Sequence, residues 1–385
     1  MRMVHCTRRE AILALGSLAV LAPLALSGGR GEAGVPAGPG WKEPFSIVAL
    51  PDTQFYSSDH PHIFQAQTRW IVENRERLNI AFVSHLGDIT DAAYEGHQWD
   101  RALAALDLLD GKLPFGVTPG NHDLYRNIEE DSPNGIIVQH LGPQSRYFRN
   151  KPWYGGASPS GFSSWQKIQA GGRDMVFLNL DDNAMGEELI WAQRVLDAHP
   201  ATPVIMVTHD YMHSEGRMTE TYFPEPRRNS GERLWQTLVR FNPQIFMVLC
   251  GHVHGQGSQV SRNDAGLEVF ELLSDYQMLD NGGNGFLRVM TFDPAAGRIR
   301  VRTWSPTLER NLTEDDTPGD GAFTLHLDFT SRFAPLATMS LPARLGIEGM
   351  AAQDRLDTGG RISRDHIALH EGPAAVMRPR LLAAR

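Results

Sequence analysis

Between residues 45 and 250 the sequence repeats one arrangement, a short apolar run followed by a polar cluster and, in several cases, a stretch of helical periodicity. The runs are FSIVALP (45–51), IAFVSHL (80–86), PFGVTP (114–119), DMVFLNL (174–180), PVIMVTH (203–209) and QIFMVLC (244–250). Each has the length and composition of a buried strand feeding a loop. Helical patterns lie at 63–78, 97–110, 187–199 and 232–241. Strands that alternate with helices point to an α/β fold in which helices pack on largely parallel sheet. From about residue 268 the helices drop out. LEVFELLS, GFLRVMTFD, RIRVRTWS and FTLHLDF then read as a second, mostly antiparallel sheet packed on the first.

The composition, 41% hydrophobic and 21% charged over 385 residues, is that of a globular chain with a sizeable core. One large domain over 45–333 is expected, with a linker at 28–44 and a poorly ordered tail at 334–385. Residues 1–27 read as an address: Arg8-Arg9 precede the apolar run Ala11–Leu26, which is shorter than the ~20 residues a membrane span needs. This resembles a twin-arginine export signal, so a periplasmic or secreted protein without membrane contact after cleavage is expected. The formal charge of −9 argues against an extended nucleic-acid surface. A small anionic substrate is compatible with that charge if bound metal ions reverse the field locally. Cys6 and Cys250 give little ground for a disulfide, and Cys250 reads as a core residue.

The polar residues at the strand ends carry the functional signal. Asp52 and Gln54 follow the first run, Gly87-Asp88 the second and Gly120-Asn121-His122-Asp123 the third. His209 ends the fifth, and Gly251-His252-Val253-His254 follow the sixth. In open α/β sheets, ligand sites gather beyond the carboxyl ends of strands, so these residues are expected to meet. Carboxylate, amide and imidazole donors without thiolates suit hard-to-borderline metal ions. Two ions ~3.5–4 Å apart need a bridging carboxylate, for which Asp88 is the candidate.

These motifs, in this order, resemble those of the calcineurin-like metallophosphoesterase superfamily. The resemblance implies a four-layer α/β/β/α sandwich of two mixed sheets flanked by helices. It implies two divalent or trivalent metal ions, one held by Asp52, Gln54, Asp88 and His254, the other by Asp88, Asn121, His209 and His252. The chemistry implied is hydrolysis of a small phosphoester by a metal-bridged hydroxide, with His122 beside the phosphate and protonating the leaving group, and Asp123 orienting His122. The family's first motif usually has histidine where this chain has Gln54. An amide oxygen is the harder and weaker donor, which tilts that position towards Mn, Mg or Fe and away from Zn. Purple acid phosphatases, similar in their motifs, place a tyrosine three residues after the bridging aspartate, where this chain has Asp91.

Several nearby residues have bland readings of equal standing. His85 fits support of the site or core packing, Asp91 and Tyr94 a capping or helix-entry role, and Phe55 and Tyr56 a substrate wall or a core cap. Ser274-Asp275-Tyr276-Gln277 and the glycines at 282, 283 and 285 either shape the cleft or make a tight turn. The expected activity is phosphoester hydrolysis with a preference for diesters. The alternatives are a phosphomonoesterase of broad specificity, or a metal-depleted binding protein of the same fold.

Overall fold

All six apolar runs form strands, and the computed structural model, which describes residues 40–124, 135–182, 184–219, 229–319 and 321–339, divides them between two sheets. In chain order the elements begin with β1 (Phe45–Leu50), α1 (Gln54–Ser58), α2 (Pro61–Asn74), β2 (Ile80–His85), α3 (Gly96–Leu106) and β3 (Phe115–Val117). A 3-10 turn over Asn121–Asp123 precedes α4 (Ile136–Leu141), β4 (Tyr154–Ala157), β5 (Ser164–Ala170), β6 (Arg173–Asn179) and α5 (Gly186–Ala198). There follow β7 (Val204–Val207), the small hairpin β8 (Met212–His213) and β9 (Gly216–Arg217), α6 (Gly231–Thr237), β10 (Ile245–Cys250), β11 (Gly255–Arg262) and β12 (Glu268–Asp275). The described chain closes with α7 (Asp280–Gly283), β13 (Leu287–Asp293), β14 (Arg298–Ser305), β15 (Arg310–Asn311), β16 (Ala322–His326) and α8 (Phe329–Phe333). The expected signal segment and most of the linker and tail lie outside the described residues.

The helices sit where periodicity places them. Pro61 opens the first turn of α2, where its missing N–H leaves no bond unmade, and the Ser230 hydroxyl accepts the Arg233 N–H to start α6. The first sheet runs β15-β14-β13-β1-β2-β3, with β16 also on β14, and the second runs β11-β12-β10-β7-β6-β5-β4. Each contains a parallel block, β1-β2-β3 in one and β6-β7-β10-β12 in the other, flanked by antiparallel strands. Alternation along the strands builds the layers. Phe45, Ile47 and Ala49 of β1 point between the sheets, towards Ile205 and Val207 of β7. Val48 and Leu50 point out under α2 and α3, while Val204 and Met206 point out under α5 and α6. The result is the four-layer sandwich of two mixed sheets with helices outside.

One expectation fails. The strands after residue 268 make no sheet of their own: β12 joins the second sheet parallel to β10, and β13 extends the first sheet antiparallel to β1. A run that is apolar on both faces fits the middle of either sheet, so hydrophobicity cannot say which sheet receives it. One side chain ties the sheets together directly. Arg288 of β13, buried, donates to the Leu273 carbonyl of β12 at 2.8 Å and to Gln256 Oε1 of β11 at 2.8 Å.

Candidate metal centre

The two parallel blocks end at the same edge of the sandwich, and every motif residue leaves from a carboxyl end there. From the first sheet come Asp52 and Gln54 after β1, Asp88 after β2, and Asn121 and His122 after β3. From the second come His209 after β7, and His252 and His254 after β10. Ligand atoms of Asp88, His209 and His252 lie within 4.8 Å of one another. His209 Nε2 stands 3.2 Å from Asp88 Oδ2, 4.0 Å from Asp52 Oδ2 and 3.2 Å from His252 Nδ1. Asp52, Gln54, Asp88, Asn121 and His209 are buried, whereas His254 is exposed on the open side.

The glycines of the motifs have a steric role. Gly120 runs so close to Asp88 that a Cβ there would stand 2.2 Å from Asp88 Oδ1. Gly87, at φ +106°, passes under His209, and its Cβ would meet that ring at 2.3 Å. Glycine at both positions lets strands of the two sheets converge on one point. Asp88 itself adopts φ +50°, a left-handed conformation that aspartate tolerates better than most residues.

Backbone and side-chain bonds hold the loops in register. The Thr53 N–H donates to the Asp88 carbonyl at 3.0 Å and the Gly251 N–H to the His209 carbonyl at 3.1 Å. Asp52 accepts the His252 N–H at 3.2 Å, a bond between loops of different sheets. His85 resolves as support: its Nδ1 accepts the Gly87 N–H, so Nε2 carries the proton and donates to Thr53 Oγ1 at 2.9 Å. Burial, with the charge of His209, lowers His85 to about 3, consistent with a neutral ring. Tyr56 belongs to the core rather than to a substrate wall.

The charges at the centre call for a cation. Burial would raise Asp88, but His209, aided by His122 and His252, holds it below the usual carboxylate range. Burial pushes Asp52 well up, with Asp275 adding to the effect. His209 is lowered by burial and raised more strongly by Asp88 and Asp52. Its Nδ1 donates to the Leu86 carbonyl at 2.8 Å, leaving Nε2 aimed at Asp88. Two acceptor atoms 3.2 Å apart need a proton or a metal ion between them. The amide oxygens of Gln54 and Asn121 are buried with no hydrogen-bond partner among the described residues. Oxygen and imidazole donors with two orphaned amide oxygens fit a site for hard-to-borderline metal ions.

His122 and Asp123 depart from their expected relation. His122 Nδ1 bonds the Asp91 carbonyl oxygen at 2.7 Å and lies 3.4 Å from Asp91 Oδ1. Burial lowers His122, but the bond to Asp91 and the charges of Asp88 and Asp91 outweigh it and raise it to about 9. Asp91, which the sequence suited to a helix entry, is therefore the residue that orients His122. Asp123 turns the other way. Its Oδ1 accepts the N–H groups of Ile89 at 2.8 Å and Thr90 at 2.9 Å and the Thr90 hydroxyl at 3.2 Å, and its Oδ2 accepts the Gly120 N–H at 3.0 Å. Its carboxylate thus clamps the Asp88 loop to the Asn121 turn rather than orienting His122. Burial, with the charge of Asp88, raises Asp123 to about 6 against these bonds.

Asp275, at the end of β12, is the other residue whose place sequence patterns did not fix. Burial raises it to about 7, opposed by the Gln277 N–H and supported by the charge of Asp88. Its only sequence signal was its position after an apolar run, the same signal as the other motifs.

Comparison with known proteins agrees with this geometry. The chain is 32% identical over 306 residues to the uncharacterized protein YvnB of Bacillus subtilis (strain 168). That alignment covers 77% of this chain and 23% of YvnB, so the chain spans about a quarter of that relative's length. Among solved structures, the purple acid phosphatase PPD1 from yellow lupin (Lupinus luteus) seeds shares the fold, with a TM-score of 0.50 and 13% identity over 78% of this chain and 56% of that one. The family model for calcineurin-like phosphoesterase matches residues 45–256, the stretch that carries every motif from β1 to His254. The chain thus belongs to the calcineurin-like phosphoesterase family.

Proposed function

We propose that this protein hydrolyses phosphate esters with a dinuclear metal centre. Asp52, Gln54, Asp88 and His254 would hold one ion, and Asp88, Asn121, His209 and His252 the other. The observation that carries the reading is the meeting of Asp88, His209 and His252 within 4.8 Å at one edge of the sandwich. The orphaned amide oxygens of Gln54 and Asn121 extend the donor set. When bound, the ions supply Lewis acidity towards the phosphate oxygens and make hydroxide available near neutral pH. Asp88 would serve both ions, His209 is fixed in one tautomer by Leu86, and Asp52 accepts the N–H of His252. His122, its Nδ1 committed to Asp91, keeps its Nε2 proton for the departing alkoxide.

The finer parts of the proposal are a preference for diesters, a donor set favouring Mn, Fe or Mg over Zn at Gln54, and a small-molecule substrate. Twin-arginine export to the periplasm or exterior is proposed from Arg8-Arg9 and the following apolar run alone. Among the described residues no helix is long and apolar enough to cross a membrane. Metal analysis of purified protein, with rates on an aryl phosphate and a bis-aryl phosphate, tests the reading. Two ions per chain and faster diester cleavage are expected. Less than one ion per chain with no hydrolysis of either ester would sink it.

A further inference from the structure

We propose that Asp275 is a further carboxylate of the metal centre, serving the ion held on the Asp52 side, where the amide of Gln54 is a weak donor. The inference rests on the dinuclear reading above and starts from the sheet. Strand β12 lies parallel to β10 with Leu273 opposite Cys250, so the exit of β12 stands beside the loop that carries His252. On its other side Asp275 pairs with Gly255, the residue after His254. Two neighbouring ladders therefore bring Asp275 to the edge where the ligands gather.

The turn that follows, through the N–H and the side chain of Gln277, uses the Asp275 side chain only in part. Asp275 is fully buried; Oδ1 accepts the Gln277 N–H at 2.9 Å, which makes the turn out of the strand. Oδ2 is buried with no hydrogen-bond partner among the described residues, like the amide oxygens of Gln54 and Asn121. Of the charges acting on Asp52, that of Asp275 acts most strongly. A buried carboxylate beside another carboxylate, with an oxygen unbonded, is a costly arrangement in the absence of a cation. An amide oxygen supplies no charge, so a third carboxylate near Asp52 raises the site's attraction for a divalent ion.

The test is manganese binding to metal-free full-length protein, followed by calorimetry and by thermal melting, for wild type and Asp275→Asn. Asparagine keeps the shape and the Gln277 acceptor while removing the charge. Expected is a loss of about 10- to 100-fold in affinity for one of two ions, the scale seen when groups supporting metal ligands are removed. The melting temperature of the metal-free variant should rise, because a buried carboxyl without a counter-charge is replaced by a neutral amide, and its gain on adding manganese should shrink. Two-ion binding at wild-type affinity overturns the proposal and leaves the dinuclear reading intact. A metal-free variant that melts lower with affinity unchanged assigns Asp275 to the turn alone and also overturns it. Wild-type protein that binds no manganese overturns both. If Asp275→Asn does not fold, Asp275→Ser gives the same readouts.

Discussion

The residue whose structural role differs most from its motif is Asp123, and Asp123→Asn separates the two roles. In the structure one carboxylate oxygen takes three donors, Ile89 N, Thr90 N and Thr90 Oγ1, and the other takes Gly120 N. Asparagine satisfies the first three through its amide oxygen and must then set its NH2 against the Gly120 N–H, leaving that buried donor unpaired. An unsatisfied buried N–H costs roughly 1–3 kcal/mol. For a chain of this size the cost corresponds to a fall in Tm of roughly 2–5 °C. The strained end is the one that joins the Asn121 turn to Asp88, so metal affinity should fall together with Tm. The assays are thermal melting with and without manganese, metal content, and kcat on esters with good and poor leaving groups. Losses are expected to be of similar size on both esters, because the damage is to the metal centre. Unchanged Tm and metal content, with a rate loss confined to the poor leaving group, would show that Asp123 acts through His122 and refute the clamp.

Asp91→Asn removes the charge that supports the proton of His122, whose rise from 6.5 to about 9 is worth ~3 kcal/mol. The Asp91 carbonyl contact survives, so the alkaline limb of kcat/KM should move down by ~1 pH unit, and most visibly on alkyl esters; an unmoved limb contradicts the pairing. In metal-free protein, Asp275 and Asp123 have raised values, about 7 and about 6, and His209 is also raised. Groups raised on folding stabilise at low pH and lose that contribution as pH climbs through the folded value. Tm of the metal-free protein should therefore fall above about pH 6.5, where His85, lowered to about 3 on folding, no longer opposes the trend, and manganese should reverse it; a Tm that rises from about pH 6.5 to 8 would contradict the assignment. Gly120→Ala drives a methyl into Asp88 and should cost ~1–3 kcal/mol with loss of bound metal, and wild-type metal content in that variant would show the approach to be looser than drawn.

Much of this was legible in the sequence because the site is made at strand ends, and strand ends are marked by abrupt changes from apolar to polar. FSIVAL followed by Pro-Asp-Thr-Gln, and IFMVLC followed by Gly-His-Val-His, locate both the strand and the residues it delivers. Sheet membership was not legible, since Ile47 faces the other sheet while Val48 faces helices and both read alike. The hairpin β4–β5 escaped because Gln166 and Ser164 are polar yet buried, which breaks the hydrophobic alternation a strand normally shows. Asp91 and Asp123 could not be told apart by type or spacing. Which of two aspartates reaches His122 depends on the turn that follows Asp88, and that turn is fixed by the loop conformation rather than by any periodicity.

The bond from the His252 N–H to Asp52, and the short approach of His209 to Asp88, both cross between the two sheets. Each sheet taken separately carries only part of the donor set: two carboxylates and two amides on one side, imidazoles and Asp275 on the other. Metal loading therefore reports docking. A chain whose sheets have not closed would present two incomplete half-sites, and one that has closed would be tied at that edge by the ions it holds. Occupancy by metal would then be a signature of a correctly assembled sandwich before any substrate arrives.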